Sequence, residues 1–241
     1  MKLSILATLV GLLGAVTTMA DVVSPDTTPN TVTVAIQKAF IPEGFDDNDR
    51  TQVTVEGFFP NTCYKVGPYA TKIDPMTRTI TVQQQAYQYN GVCLQMLVPF
   101  TQTIDLGLVN AGDYKLTDAA KGSNLGELKI EKATKSEADE YLYAPMTDAY
   151  ITTEPDTGIH TLVATGAFSD RCTIFENIKV HYTSDVIVVQ PIVKHIAESG
   201  CESQKVRFAK TVELKKDLTG VYLLHVRSMN GQAINKVVDI P

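Results

Sequence analysis

The stretch "VEGFFPNTCYK" at residues 55–65 has a weaker copy, "ATGAFSDRCTI", at residues 164–174. Both copies read Gly-x-Phe-x-x-x-Cys, and the matching residues are Gly57 with Gly166, Phe59 with Phe168, and Cys63 with Cys172. Self-similarity of this kind decides the architecture of a chain, so it is tested before any local pattern. The motif indicates an internal repeat.

A second block supports the duplication. Residues 93–116 align without gaps with residues 201–224, and eight residues are identical in register, where ordinary composition gives about one or two. The identical pairs are Cys93/Cys201, Val98/Val206, Phe100/Phe208, Thr103/Thr211, Leu106/Leu214, Gly112/Gly220, Tyr114/Tyr222 and Leu116/Leu224. Each unit has about a hundred residues, a normal domain size, so we predict two tandem domains.

The pattern within each unit is typical of β-strands. Apolar residues alternate with polar ones in residues 31–36, 51–59 and 78–85, and Gly, Pro, Asn and Asp separate such runs. About seven runs occur in each unit. The sequence therefore predicts an all-β protein of two Ig-like or fibronectin-like β-sandwich domains.

A Gly-x-Tyr pattern recurs late in each unit, as "LVNAGDYKL" and "KDLTGVYLL". It resembles the tyrosine corner of immunoglobulin-like sandwiches, where the phenol hydroxyl bonds back to the backbone, and this resemblance implies structural roles for Tyr114 and Tyr222. The chain has no Trp, so the likeness to true immunoglobulin domains is one of outline only.

Four cysteines at equivalent positions predict one disulfide within each unit, Cys63 with Cys93 and Cys172 with Cys201. A metal or redox site is disfavoured because no close C-x-x-C pair occurs. In this interpretation the glycine of each motif, Gly57 or Gly166, ends a strand or allows a bulge. The core is filled by the phenylalanines at positions 59, 100, 168 and 208.

The N-terminal segment has the features of a secretory signal, with Lys2, an apolar run and a cleavage site after Ala20. We predict the following organisation: signal peptide 1–20, flexible tether 21–31, first repeat 32–133, linker 134–143 and second repeat 144–241. Loss of Lys2 takes the formal net charge from −6 to −7. An acidic chain without a basic cluster is a poor partner for nucleic acid, and no later segment is long enough for membrane insertion.

Together, G-x-F-x-x-x-C, C-x(6)-F-x-x-T-x-x-L and G-x-Y resemble a disulfide-containing, Ig-like tandem repeat of secreted bacterial proteins that has no assigned activity. The resemblance covers both repeats. It implies a bacterial source and an exported protein, periplasmic or secreted. It carries no catalytic residues and therefore transfers no function.

The sequence contains few motifs that are typical of catalytic or cofactor-binding sites. The four histidines lack metal-binding spacing, and no nucleophile elbow, phosphate loop or dinucleotide fingerprint occurs. We therefore predict no enzyme, no cofactor and no metal, although catalysis by residues distant in sequence is left open. The acidic loop "GFDDNDRT" offers Asp46, Asp47 and Asp49 as weak calcium ligands, but a solvated turn is the commoner role of such a loop.

The segment "VQQQAYQYNGV" at residues 82–92 has no counterpart in the second repeat. Rigid aromatics beside adaptable amides make good contacts, so Tyr87, Gln88 and Tyr89 are candidate binding residues. The alternative is a further strand with one tyrosine buried. These features favour an exported, non-catalytic binding module for a protein or glycan. A structural subunit that assembles through edge strands, or a protease-inhibitor-like protein, is the alternative, and the oligomeric state is left open.

Overall fold

The computed structural model describes residues 28–136, 139, 141–196 and 200–241. The predicted signal peptide and most of the predicted tether lie outside these residues. Every regular element of the described chain is a β-strand. Within the same residues, no helix is long and apolar enough to cross a membrane.

The first repeat contributes nine strands. They are β1 Asn30–Thr33, β2 Lys38–Phe40, β3 Phe45–Asp46, β4 Thr51–Phe59, β5 Tyr64–Asp74, β6 Thr79–Gln88, β7 Val98–Gly107, β8 Gly112–Asp118 and β9 Asn124–Glu131. The strand β1 begins inside the segment predicted as a tether.

The second repeat contributes seven strands. They are β10 Met146–Thr153, β11 His160–Phe168, β12 Thr173–Tyr182, β13 Val186–His195, β14 Val206–Glu213, β15 Gly220–Ser228 and β16 Gln232–Ile240. Before β10, Tyr143 bridges to Ile192 of β13, so the end of the predicted linker already pairs with this repeat.

Each repeat forms two sheets, and the sheets of the two repeats correspond. The three-stranded sheets have the orders β2-β4-β7 and β10-β11-β14. The larger sheets share the series β5-β6-β8-β9 and β12-β13-β15-β16, and the first repeat adds β1 and β3. The predicted all-β architecture of two sandwiches is confirmed.

One feature of the larger sheets sets them apart from the wholly antiparallel sheets of an immunoglobulin domain. The strands β6 and β8 pair in parallel, as do β13 and β15. Parallel neighbours need a crossover connection. Here the crossover is a strand of the opposite sheet, β7 or β14, so each crossover ties the two layers together.

The alternation of buried and exposed residues along the strands explains the hydrophobic cores of the two repeats. In β11 every second residue from His160 to Phe168 is buried, as expected of a strand with one face inside. The core of the first repeat contains Val53, Val55, Ile80, Val82, Ile104, Tyr114, Leu116, Leu128 and Ile130. The core of the second contains Leu162, Ile187, Val189, Leu214, Leu218, Leu224, Val226 and Ile240.

The tyrosine-corner comparison holds for the burial of Tyr114 but not for its hydrogen bonding. Tyr114 is buried, and its hydroxyl accepts a hydrogen bond from Arg78 Nη1 at 3.2 Å instead of bonding back to the backbone. The same guanidinium nitrogen donates to the Ala111 carbonyl at 2.8 Å, so an arginine bridges the turn. Tyr222 is only partly buried. Gly112 and Gly220 open their strands at φ 146° and 97°, a region that favours glycine.

The two repeats contact each other through a small apolar cluster and a polar one. Phe40 of β2 is fully buried against Val186, Val188 and Leu223 of the second repeat. Lys38 forms an ion pair with Asp185 at 3.2 Å beside this cluster. We call this contact region, together with the polar cluster around Arg227, the junction.

Arg227 of β15 forms the polar part of the junction. Its guanidinium is buried and donates to Asp49 Oδ2 at 3.3 Å, to the Gly44 carbonyl and to the Tyr143 hydroxyl. Asp139 lies next to this group, and burial together with the charge of Asp49 raises its pKa. Buried charges are costly unless they are paired, so Arg227 and Asp49 depend on each other.

Candidate functional site

The disulfides close the same end of both sandwiches and join the predicted pairs. Cys63 bonds to Cys93 and Cys172 to Cys201, with Cα–Cα distances of 5.4 and 5.6 Å. In each repeat the bond ties the start of one strand, β5 or β12, to the loop before another, β7 or β14. We call these ends the first tip and the second tip. Both disulfides are compatible with an exported protein.

The glycine of the repeated motif has a different role from the one predicted. Gly57 lies inside β4, directly opposite Phe100 of β7, and Gly166 lies inside β11, opposite Phe208 of β14. A Cβ at Gly57 would lie 2.7 Å from the Phe100 ring and 2.9 Å from the Ala35 carbonyl oxygen. A Cβ at Gly166 would overlap the Phe208 ring and the Pro145 carbonyl oxygen.

The prediction that these glycines end a strand is therefore wrong, because both lie inside strands. A bulge does occur opposite Gly166, where the β10–β11 register shifts between Met146 and Asp148, whereas the β4–β7 register is regular at Gly57. The missing side chain makes room for an aromatic ring from the neighbouring strand, a known way to cover glycine in sheets. The ring then packs against the phenylalanine of the motif, and both centroid separations, Phe59–Phe100 and Phe168–Phe208, are 4.6 Å. The first pair is stacked and the second is tilted. The motif thus builds an aromatic pair beneath each disulfide.

The first tip exposes an unusual amount of apolar side chain. Val92 is fully exposed, Leu94 and Leu97 are 67% and 66% exposed, and Met96 is 53% exposed. Phe58 at the end of β4 is also exposed. Contiguous apolar patches larger than a few hundred Å² are rare on monomeric proteins and mark interaction sites.

Tyr87 and Tyr89, two of the predicted binding residues, border the same loop. Tyr87 is the penultimate residue of β6 and Tyr89 follows the strand, with exposed fractions of 36% and 40%. The segment is a strand up to Gln88, but neither tyrosine is buried, so the alternative of a buried tyrosine is wrong. Gln88 is half-buried and pairs with Asn30 and Tyr64. The first tip, as we use the term, includes Phe58, Tyr87, Tyr89, Val92, Leu94, Met96 and Leu97.

Sequence reasoning missed the aliphatic part of this surface. The signal was present, because "GVCLQMLVP" is apolar without alternation and contains a cysteine and a proline. Such a run suits neither a half-buried strand nor an ordinary polar loop.

Hydrogen bonds hold the loop of the first tip in place. Leu94 donates its N–H to Thr62 Oγ1 at 3.0 Å, and its carbonyl accepts the Thr62 N–H at 3.2 Å. Tyr89 donates to the Cys63 carbonyl at 2.9 Å. With the disulfide, these bonds restrain the loop on both sides of Cys93, so little conformational entropy is left to lose on binding.

The second tip has the same frame and a polar surface. The residues aligned with Leu94, Met96 and Leu97 are Glu202, Gln204 and Lys205, and all three are exposed. The duplicated frame therefore presents different side chains at its two ends.

The carboxylates of the acidic loop form hydrogen bonds and ion pairs with other groups of the protein. Asp47 accepts from Lys132 Nζ at 2.6 Å and from the Ala133 N–H at 2.9 Å, and these hydrogen bonds lower its pKa. Asp49 pairs with Arg227 and also accepts the Asp46 N–H at 3.1 Å. Among the described residues, no group of three or more His, Cys, Asp or Glu side chains is placed to hold a metal ion.

The histidines are dispersed. His160 and His225 are buried in different places, whereas His181 and His195 are exposed. His160 Nδ1 bonds Thr153 Oγ1 at 2.9 Å, and His195 Nδ1 contacts Thr173 Oγ1 at 3.2 Å.

His225 belongs to the junction. Asn235 donates its amide nitrogen to Gln52 at 2.9 Å, so its oxygen accepts from His225 Nδ1 at 2.6 Å. Nε2 of His225 is buried and has no hydrogen-bond partner among the residues that the structure describes, and burial lowers the pKa of this imidazole to about 4. Arg227 thus contacts the first repeat directly through its buried guanidinium, whereas His225 is linked to the first repeat through the Asn235 amide.

Comparison with known proteins identifies a family. The model of the ORF11 beta-sandwich domain matches residues 53–118 and 162–240, a segment in each repeat and more than half of the chain. The chain therefore belongs to this family. Searches of curated proteins and of solved structures find no match.

Proposed function

We propose that this member of the ORF11 beta-sandwich domain family is an exported, non-catalytic binding module. Its first tip contacts a protein partner in the cell envelope or outside the cell. The observation that carries the proposal is the exposed apolar loop of the first tip, held by a disulfide and by the Thr62 hydrogen bonds. Burial of such a surface by a partner is strongly favourable.

The composition of the first tip favours a protein over a glycan. Leu94, Met96 and Leu97 offer no hydrogen-bonding groups to sugar hydroxyls, which would lose water without compensation. Met and Tyr, in contrast, are enriched at the centre of protein interfaces. The two exposed tyrosines at the border add hydroxyls that suit a polar rim.

Site-specific photocrosslinking tests the proposal. A benzoylphenylalanine placed at Leu94 is exposed to culture fluid and envelope fractions of the source organism, and the products are separated and identified by mass spectrometry. Met76 is the control position, because it is 91% exposed at the opposite end of the β5–β6 hairpin. We expect a discrete crosslinked protein from position 94 and none from position 76.

A competing variant makes the result specific. Addition of excess unlabelled protein should abolish the crosslink, whereas excess Leu94→Ser/Met96→Ser protein should not. Both residues are exposed, so the variant should keep the melting temperature of the parent chain. Crosslinks only between copies of this chain would replace the proposal with self-assembly, and a glycan as the sole product would overturn the choice of partner.

The shape of the loop also favours a second candidate, a protease inhibitor. Residues 90–97 form an exposed loop closed by Cys63–Cys93, and inhibitors present such restrained loops to proteases. A panel of serine and metalloproteases, assayed with and without the protein, tests this candidate. Inhibition that the Leu94→Ser/Met96→Ser variant loses would support it.

A further inference from the structure

The second tip contains a groove that is separate from the surface of the proposed function. It lies between the two sheets of the second repeat, beside β12 and β14, and has a volume of about 590 Å³. Its floor consists of Phe168, Phe175 and Phe208, whose ring centroids lie 4.6 to 5.5 Å apart. Phe175 and Phe208 are partly exposed, so the groove offers aromatic surface to a ligand.

The rim of the groove is positively charged. Arg171, Lys205 and Lys210 line it, and Lys210 Nζ lies 5.3 Å from the centre of the Phe175 ring. The single carboxylate in the lining is Asp170, whose Oδ1 accepts the N–H groups of Cys172 and Thr173 at 2.8 Å. In a chain with a net charge of −6, this local excess of positive charge favours an anionic partner.

The groove runs along an open sheet edge. In the sheet order β10-β11-β14, the strand β14 is terminal and pairs only with β11 among the described strands. A terminal strand presents unpaired N–H and C=O groups that can accept a further strand. In such complexes the main chain provides affinity, and pockets for alternate side chains provide specificity.

The first repeat provides an internal comparison. Its equivalent strand β7 has Phe100 buried where β14 has Phe208 partly exposed. The positions of Lys205 and Lys210 are occupied there by Leu97 and Gln102, so the cationic rim is confined to the second repeat.

We propose that β14 and this groove bind an extended, acidic segment of a partner protein. The segment adds to the sheet as a strand beside β14 and inserts an aliphatic side chain against Phe175 and Phe208. Its carboxylates pair with Lys205 and Lys210. The site is independent of the first tip and goes beyond the function proposed above.

Fluorescence anisotropy with the full chain tests the site. The probe is a rhodamine-labelled octapeptide of alternating leucine and glutamate. Its controls are the leucine–lysine peptide and a leucine–glutamate peptide that is N-methylated at every second amide. We expect binding of the first peptide only, because the others lose charge complementarity or strand pairing.

Charge-reversal variants locate the binding. Lys205→Glu/Lys210→Glu should weaken it about tenfold or more, since both rim charges become repulsive. Lys115→Glu/Lys121→Glu changes the net charge equally at two exposed residues of the first repeat and should leave the affinity unchanged. Unchanged melting temperatures show that both variants fold.

Other results overturn the proposal. These are failure of the leucine–glutamate peptide to bind, equal binding of the N-methylated peptide, and equal binding to the Lys205→Glu/Lys210→Glu variant. Displacement of the peptide by laurate at a lower concentration than by unlabelled peptide would make the groove a fatty-acid site instead. The Leu94→Ser/Met96→Ser variant should bind the probe normally, which separates this test from that of the first tip.

Discussion

The first and second tips share their covalent frame and differ in almost everything exposed. Each has a disulfide above a glycine that makes room for a phenylalanine of the next strand. Above that frame, the first tip presents aliphatic residues and tyrosines, whereas the second presents a cationic rim around a partly open aromatic groove. Interior positions tolerate few residue types because packing is dense, and exposed loop positions tolerate many.

The two repeats also differ at the junction. Arg227 and His225 align with Ala119 and Thr117, so neither side chain has a counterpart of the same type in the first repeat. A duplicated strand has thus acquired a surface that holds the other repeat. The comparison between a shared frame and divergent surfaces leads to four predictions.

The largest effect should come from the junction, where the repeats are least alike. Arg227→Ala leaves Asp49 buried without its partner, and we expect the free energy of unfolding to fall by about 3–5 kcal/mol. Urea unfolding followed by tyrosine fluorescence measures the loss. The control Arg207→Ala removes an exposed arginine and should change stability by about 0.5 kcal/mol or less. A similar small loss for Arg227→Ala would mean that the junction contributes little.

The two disulfides test whether equivalent bonds contribute equally to the free energy of unfolding of the two repeats. They span 30 and 29 residues, so Cys63→Ser/Cys93→Ser and Cys172→Ser/Cys201→Ser should each cost about 3–4 kcal/mol. Calorimetry of both variants measures the costs. A difference of more than about 2 kcal/mol between them would show that the two frames are not energetically equivalent, since chain entropy alone predicts near equality.

Replacing the motif glycine by alanine should destabilise the two repeats by different amounts, because the two glycines are packed against different atoms. Gly57→Ala meets the Phe100 ring and the Ala35 carbonyl oxygen at 2.7 and 2.9 Å and should cost about 1–2 kcal/mol. Gly166→Ala overlaps the Phe208 ring and the Pro145 carbonyl oxygen more closely and should cost about 3 kcal/mol. Urea midpoints of both variants give the order. In Gly57→Ala/Phe100→Leu the leucine relieves the overlap with the new Cβ. The free energy of unfolding should therefore fall by less than the sum of the decreases in the two single variants. Strict additivity would contradict the contact.

The smallest effect should be a pH dependence that only the second repeat introduces. The pKa of His225 is about 4 in the folded protein and about 6.5 in the unfolded chain, so acidification protonates the unfolded state first. Stability should fall as the pH drops below about 6.5, by about 0.7 kcal/mol between pH 7 and pH 6. His225→Gln should remove this decline when urea unfolding is repeated across the pH range.

Asp139 acts in the opposite direction. Its raised pKa means that the folded state gains a proton before the unfolded state does, so acidification stabilises the fold through this group. In His225→Gln a shallow rise in stability should therefore become visible as the pH falls toward the ordinary pKa of an aspartate. A decline as steep as that of the parent chain would assign the pH dependence to another group.

Local patterns predicted the strands well. The alternating run 51–59 coincides with β4, and the run 78–85 lies almost wholly within β6. The run 31–36 shares only three residues with β1, which begins one residue earlier, at Asn30, and ends at Thr33. Alternation reports burial on one face, which is a local property, so strand existence is easier to predict than strand ends.

The candidate site was predicted only in part. Tyr87 and Tyr89 were found because aromatic residues beside amides are conspicuous in sequence. Val92, Leu94, Met96 and Leu97 were missed, because an apolar residue in a sequence is expected to be buried until its neighbours are known. The role of Gly57 was also missed, since the ring that covers it lies 43 residues away, at Phe100.

The sequence by itself determined the duplication, the β character of both copies and the pairing of the cysteines, because identity in register, period-two alternation and equivalent positions need no knowledge of the fold. Only the tertiary structure decided that β6 pairs in parallel with β8, that rings of β7 and β14 cover the glycines, and that Arg227 holds the acidic loop of the other repeat. These features depend on register and on contacts between distant segments, and no local pattern encodes which strand lies beside which.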